Sequence, residues 1–342
     1  TNSGFKLDFS GTSLYIVSGG RSQPRIECGY SLDYQDFVYV NITIGENKIL
    51  SGLDHTRHNI QFWVSNTDGG FLQLESIKID KNAEIHRYQP QEKYIQVIGD
   101  SLSSGQYSPH ESLDSWPFLL GQLLNVEMDV LAIPGIALAD KVSMSSWKKT
   151  HGMSYQYFMV QHEASEAWGY SKNTPFDFSN SREPDYIIIN LGTNDIGLSV
   201  QENQFMDYMV DFVKSIRTVY PNATIITTNY FMKYWVNILK GIDTKFDNLY
   251  RYDVSNFIID GEPDVIPNIR HLSQMGNCKI AYEFQKIFEK DFGLSAKGWR
   301  TDNWGLQHKQ PASTTDLKCD HPYDHHVYYH YHWMNDGGVG FW

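Results

Sequence analysis

Cysteine is scarce in this chain, and long apolar runs are missing. Only three cysteines occur among 342 residues: Cys28, Cys278 and Cys319. A bridge between Cys278 and Cys319 would leave Cys28 over, and three buried thiols fit the odd count equally well. No apolar run approaches the roughly 20 residues that span a bilayer, so we expect no membrane association.

Positive charge is also in short supply. Lys and Arg number 28 against 40 Asp and Glu, which gives a formal net charge of -12. Because a nucleic-acid surface needs clustered Lys and Arg, we expect no nucleic-acid partner. With 41% apolar and 20% charged residues, the composition is that of a globular protein with one large domain or two ordinary ones.

The first 90 residues predict an all-β domain. Short segments with partial alternation (37–44, 60–64 and 71–79) are separated by turn clusters of Gly, Asn and Asp. No long helical period appears among them, which favours a β-sandwich of the jelly-roll type. The polar, Pro-containing segment 87–93 places the domain boundary between residues 90 and 91.

The remaining residues, 91–342, predict an α/β domain. Apolar strands at 94–98, 126–133, 186–191 and 224–228 alternate with segments of helical periodicity. This order predicts a three-layer α/β/α sandwich around a mostly parallel sheet. The long polar and aromatic stretch 143–182 has no clear period, and we interpret it as a loop excursion that shapes the cleft.

Short polar motifs follow three of these strands, and a fourth lies near the C-terminus. In chain order they are Gly99-Asp100-Ser101, Gly135, Gly192-Thr193-Asn194-Asp195 and His321-Pro322. The carboxyl ends of parallel strands meet at one edge of a sheet, where ligands bind. Each motif alone has an ordinary structural explanation, such as a helix cap at Asp100-Ser101, but together they predict one site.

The four motifs resemble the blocks of the SGNH (GDSL) hydrolase superfamily. The segment 184–195, and an N-terminal β domain that includes 58–63, are similar to carbohydrate esterase family 2. The resemblance implies a jelly roll packed against an SGNH catalytic domain. It also implies an acetyl esterase that deacetylates plant cell-wall polysaccharides such as xylan and glucomannan.

Ester cleavage needs a nucleophile, a base and hydrogen-bond donors for the oxyanion. We predict Ser101 as the nucleophile and His321 as the general base. The oxyanion donors would be the backbone N–H groups of Ser101 and Gly135 and the side-chain amide of Asn194. Asp100 and Asp195 are interpreted as structural. His321 is preferred over the neighbouring histidines because a His-Pro dipeptide is usual in the last superfamily block.

The sequence does not identify the acidic residue that would complete a catalytic triad with Ser101 and His321. The superfamily usually carries an Asp three residues before the His, and here that position is Lys318. Asp320 and Asp316 are the candidates, although the resemblance also allows a Ser-His dyad whose imidazole is oriented by a backbone carbonyl. We expect no metal and no cofactor. A sugar-stacking role for Tyr107, Trp299 and Trp304 is weighed against ordinary packing.

The predicted function is therefore hydrolysis of acetyl esters on a carbohydrate by a monomeric serine esterase. The alternatives are a lipid or small-ester acylhydrolase on the same machinery, and a carbohydrate-binding protein with a decayed site. Two glycosylation acceptors, Asn41 and Asn222, and a start at Thr1 without Met, as in a processed chain, favour a secreted glycoprotein.

Overall fold

The structure is a computed structural model with two parts, a β-rich N-terminal domain and an α/β domain. It describes residues 3–67, 70–141, 151–160, 174–229, 231, 237–259, 263–266, 269–294, 300–301 and 307–308. The predicted boundary between residues 90 and 91 falls between the last strand of the first part and the first strand of the second. No helix in these ranges has the length and apolar character needed to cross a bilayer.

The N-terminal domain consists of two antiparallel sheets. Its strands are β1 (Gly4–Ser10), β2 (Ser13–Ser18), β3 (Arg25–Leu32), β4 (Val38–Thr43), β5 (Gly45–Ser51), β6 (Arg57–Val64), β7 (Leu74–Ile79) and β8 (Glu84–His86). The strand order is β4-β3-β6-β1-β8 in the larger sheet and β5-β2-β7 in the smaller one. Apolar side chains of both sheets, including Phe9, Ile16 and Phe62, form the core between them. The predicted all-β domain is confirmed.

The second domain is built on five parallel strands in the order β10-β9-β11-β12-β13. They are β9 (Tyr94–Gly99), β10 (Glu127–Ala132), β11 (Tyr186–Asn190), β12 (Thr224–Thr228) and β13 (Leu249–Tyr252). The central strands β9 and β11 are buried along almost their whole length, as expected of a sheet covered on both faces.

Helices cover both faces of this sheet. They are α1 (Ser101–Ser104), α2 (Trp116–Leu124), α3 (Met153–Gln156), α4 (Thr193–Gly197), α5 (Glu202–Val219) and α6 (Gln274–Phe292). Val97 and Ile188 pack with α2 and α6, whereas the adjacent Ile98 and Ile189 pack with α5. Successive strand residues point to opposite faces, so the predicted α/β/α three-layer architecture is confirmed.

Helix ends follow the local sequence. Ser115 precedes α2, and its Oγ accepts the N–H of Phe118 at 3.4 Å, with Pro117 in the first turn. Ser273 precedes α6 and accepts the N–H of Gly276 at 3.1 Å. Such N-caps satisfy amide groups that the helix itself leaves unpaired. The cap of α6 therefore also helps to fix the position of the chain just before the helix, which includes residue 271.

The cysteines divide into two kinds. Cys278 on α6 is disulfide-bonded, whereas Cys28 on β3 is a free, buried thiol. Burial raises the pKa of the Cys28 thiol to about 12, so it stays protonated and unreactive at neutral pH. Cys319 lies outside the described residues.

Candidate active site

The strand ends bring three of the predicted motifs to one edge of the sheet. Gly99, at the end of β9, lies opposite Ala132 of β10 on one side and opposite Asn190 of β11 on the other. The three neighbouring strands therefore end at the same level. Ser101 lies two residues after β9, Gly135 follows β10, and Asn194 follows β11.

Ser101 is the first residue of α1. Asp100 is the N-cap of this helix, and its Oδ1 accepts the N–H of Leu102 at 2.9 Å. Ser101 is only 6% exposed, so its hydroxyl lies in a sheltered position at the start of a helix. Burial raises the pKa of the Asp100 carboxyl to about 7. Asp100 thus has the structural role that was predicted for it, as the cap next to Ser101.

The imidazole beside Ser101 belongs to His271. Its Nε2 lies 2.9 Å from Ser101 Oγ, and its Nδ1 lies 2.8 Å from the carbonyl oxygen of Ile269. A carbonyl oxygen can only accept, so Nδ1 carries the proton in this arrangement. Nε2 is then left with a lone pair that faces the serine hydroxyl, which is the tautomer that a general base needs.

His271 was missed in the sequence, and His321 was chosen instead. His321 lies outside the described residues, as do the candidate acids Asp316 and Asp320. Two local signals point to His271: it comes two residues before Ser273, the N-cap of α6, and it follows the last strand of the parallel sheet. The residue three positions before it is Asn268, which stands where the superfamily usually has Asp.

The Asn194 side chain contacts both of the other strand-end motifs. Its Nδ2 donates to the carbonyl of Ile136 at 2.8 Å, and the Oδ2 of Asp100 lies 3.5 Å from the same nitrogen. The residue is 9% exposed. One amide hydrogen is used in the short bond and the other only in a long one, so the second hydrogen is weakly engaged and can donate to an anionic oxygen that comes close to it.

Gly135 lies on the turn after β10. Its φ of 76° is in the left-handed region, which glycine adopts without steric cost. This backbone conformation and the missing side chain allow the Gly135 N–H to come close to a bound ester. The structure places Ser101, Gly135 and Asn194 at one edge of the sheet. Their catalytic roles stay predictions.

Asp195 fixes the Gly135 turn to the Asn194 motif. Its two carboxylate oxygens accept the backbone N–H groups of Leu138 and Ala139 at 2.9 and 3.0 Å. The side chain is fully buried, and burial raises the pKa of its carboxyl. Asp195 therefore has a structural role, and it holds two motifs in register.

Only one of the three predicted sugar-stacking residues lies in the described part of the chain. The Tyr107 ring meets the His271 ring edge to face, with centroids 4.7 Å apart and planes at 87°. Trp299 and Trp304 lie outside the described residues. Among the residues that the structure describes, no cluster of three or more His, Cys, Asp or Glu could hold a metal ion.

Comparison with other proteins shows which family the second domain is similar to. Residues 97–254 match the model of the GDSL-like lipase/acylhydrolase family. The cellulase/esterase CelE of Acetivibrio thermocellus is 25% identical over 243 residues, which are 66% of this chain and 28% of CelE. The chain therefore spans less than a third of the length of that relative.

Two solved structures share the fold of almost the whole chain. A family two carbohydrate esterase from Clostridium thermocellum, in complex with cellohexaose, is similar with a TM-score of 0.68 at 19% identity. The alignment covers 86% of this chain and 94% of that one. An acetyl xylan esterase, Est2A, from the rumen bacterium Butyrivibrio proteoclasticus has a TM-score of 0.67 at 16% identity, with 85% and 91% covered.

These likenesses confirm the predicted resemblance. The family match covers β9 to β13, the strands that carry Ser101, Gly135 and Asn194. The fold match also includes the N-terminal β domain, because it covers most of the chain. Residues 97–254 are therefore similar to the GDSL-like lipase/acylhydrolase family, and the two-domain fold of the chain is similar to that of the family two carbohydrate esterases.

Proposed function

We propose that the protein removes acetyl groups from a carbohydrate through a Ser101–His271 dyad. The observation that carries this proposal is the chain of contacts from the Ile269 carbonyl through the His271 ring to Ser101 Oγ, at 2.8 and 2.9 Å. His271 replaces His321 as the proposed base.

The chemistry is acyl transfer in two steps. His271 Nε2 takes the proton of Ser101 as Oγ attacks the ester carbonyl carbon, and the resulting oxyanion is bound by the Ser101 and Gly135 N–H groups and by Asn194. The imidazolium then gives its proton to the sugar oxygen as the C–O bond breaks. Water, deprotonated by His271, attacks the acetyl-serine and releases acetate and free enzyme.

The substrate class rests on the similar proteins. The Clostridium thermocellum esterase was solved with cellohexaose, and Est2A is an acetyl xylan esterase. We therefore propose an acetylated plant polysaccharide or oligosaccharide as the substrate.

Extracellular action is part of the same proposal. Such polymers lie outside cells, and the disulfide-bonded state of Cys278 fits an oxidising compartment. The acceptor residues Asn41 and Asn222 are both exposed, as glycosylation requires.

The first experiment is acetate release from acetylated xylan and glucomannan. We expect release by the unmodified protein and none above background from Ser101→Ala or His271→Ala. His321→Ala is the matched control and should retain most of the activity. A His321→Ala protein that is as inactive as His271→Ala would contradict the dyad. Release confined to long-chain esters would favour a lipid acylhydrolase, and no release from any ester would favour a binding protein.

A further inference from the structure

The loop of residues 105–114, between α1 and α2, has an unusual backbone. Tyr107 and Glu111 have φ values of 72° and 43°, and Gly105 has 77°. Non-glycine residues in this region cost on the order of 1–3 kcal/mol each and persist only where their surroundings hold them. The loop is therefore held in place by contacts outside itself.

One side of the loop faces His271. The Tyr107 ring packs edge to face on the imidazole, with 4.7 Å between centroids and an angle of 87°. The two hydrogen bonds of His271 go to Ser101 Oγ and to the Ile269 carbonyl, one from each ring nitrogen. A tilt of the ring about the line between the two nitrogens changes these two distances little. A second ring packed against it restricts this tilt.

The other side of the loop faces the N-terminal domain. Ser65, just after β6, donates its hydroxyl to the carbonyl of His110 at 2.7 Å. The N–H of Thr67 donates to Glu111 Oε2 at 2.6 Å. These bonds join the end of β6 to the loop at the strained residue Glu111 and at its neighbour.

Two further contacts hold His110. The Tyr39 ring of β4 stacks on the His110 ring, with 3.5 Å between centroids and 7° between planes. Glu27 of β3 places its Oε2 3.2 Å from His110 Nδ1. The larger sheet of the N-terminal domain thus contacts the His110 side chain as well as the backbone of the loop.

The helix that follows His271 supports the loop from its own domain. Asn277 Nδ2 donates to Ser108 Oγ at 3.1 Å, and Gln274 Nε2 donates to Asp114 Oδ1 at 3.0 Å. The loop is therefore fixed between α6 and the N-terminal domain, and Tyr107 projects from it onto the imidazole.

From this arrangement we propose that Tyr107 is a positioning residue for His271 and that the N-terminal β domain holds it in place through the 105–114 loop. The inference rests on the proposed function, because it assigns the β domain a part in the same reaction. Tyr107 acts here through the imidazole, in place of the sugar-stacking role predicted from the sequence.

The first test compares Tyr107→Leu with Tyr107→Phe. Leu removes the ring, and a misplaced imidazole should lower kcat about ten- to a hundredfold with KM changed less than twofold. Phe keeps the ring and should restore most of kcat. A rise in KM with kcat unchanged would instead mean that Tyr107 binds substrate, and it would overturn the positioning role.

The second test concerns the β domain. Tyr39→Leu removes the stacking on His110 and should lower kcat severalfold without changing KM. Coupled residues give non-additive effects, so Tyr39→Leu combined with Tyr107→Leu should be no slower than Tyr107→Leu alone. Lys78→Ala, on an exposed ion pair of the smaller sheet, is the control and should leave kcat unchanged. Independent, multiplying effects of Tyr39 and Tyr107 would overturn the link.

A third measurement does not depend on activity. The proton resonances of the His271 ring, assigned with a His271→Gln variant, should shift in Tyr107→Leu and in Tyr39→Leu because the ring current of Tyr107 is lost or displaced. Unchanged resonances would overturn the inference. A wild-type protein that hydrolyses no ester would contradict the proposed function alone, and the resonances would still decide whether Tyr107 positions the imidazole.

Discussion

The His271 imidazole is oriented by a neutral carbonyl, that of Ile269. A carboxylate in that place would both hold the tautomer and stabilise the imidazolium that forms during the reaction, whereas a carbonyl dipole stabilises that cation less. More of the transition-state stabilisation then has to come from the oxyanion side. Asn194, with one amide hydrogen in a long contact, is the side chain that we propose to supply it.

Replacement of Asn194 tests this view. Asn194→Ala removes one oxyanion donor and should lower kcat about 100- to 1,000-fold, with a small effect on KM because the donor acts mainly in the transition state. The measurement is steady-state hydrolysis of an acetyl ester. Asn222→Ala, at an exposed position, is the control. A loss smaller than threefold in Asn194→Ala would remove this side chain from the oxyanion site.

At the scale of elements, the site depends on the alignment of separate strand ends. Parallel pairing sets the ends of β9, β10 and β11 at one level, but the turns that follow are irregular and need their own support. Asp195 supplies it between the β10 turn and α4 through two buried hydrogen bonds. The carboxylate therefore stabilises both the fold and the relative position of Gly135 and Asn194.

Asp195→Asn should destabilise the protein. The amide can present only one oxygen, so one of the buried N–H groups of Leu138 and Ala139 loses its acceptor, at a cost of about 1–3 kcal/mol. Urea unfolding measures the change. Asp211→Asn, in an exposed pair with Lys214, should change stability by no more than a few tenths of a kcal/mol. Equal stability of Asp195→Asn and the parent protein would contradict the structural role.

At the scale of the whole molecule, Glu127 joins the two domains and the segment between them. Its carboxylate accepts Lys6 Nζ of β1 at 2.6 Å, the Tyr88 hydroxyl at 2.7 Å and the Gln91 N–H at 2.8 Å. Burial alone would raise the pKa of this carboxyl, but the charge of Lys6 and the hydrogen bonds outweigh it, and the pKa is lowered from 4.5. The ionised form is thus favoured by folding.

This gives a pH-dependent prediction. The folded pKa of Glu127 lies below the unfolded one, so its contribution to stability is present above about pH 4.5 and is lost as the pH falls through the folded pKa. Glu127→Gln should therefore be less stable than the parent at pH 7, and the difference should shrink at pH 3. Denaturant unfolding at both pH values measures it. A difference that is constant with pH would contradict the prediction, and Glu46→Gln, in an exposed pair, is the control.

Much of the architecture could be predicted from the sequence because its signals are local. Apolar runs and turn residues located four of the five parallel strands, and Ser101 was predicted as the nucleophile because it lies two residues after the end of one of them. Five strands of the N-terminal domain had no clear signal, since β1, β2, β3, β5 and β8 are stabilised by pairing with distant segments. Pairing of this kind does not appear in a local pattern.

The sequence by itself predicted the fold class, the resemblance to the GDSL family and Ser101 as the candidate nucleophile. Only the tertiary structure showed that the His271 ring reaches Ser101, because the two side chains are 170 residues apart in the chain. It also decided what orients the imidazole, since the Ile269 carbonyl is a backbone atom with no residue signature. The contact of Tyr107 with His271 has the same origin, because a loop held between two domains takes its conformation from both of them.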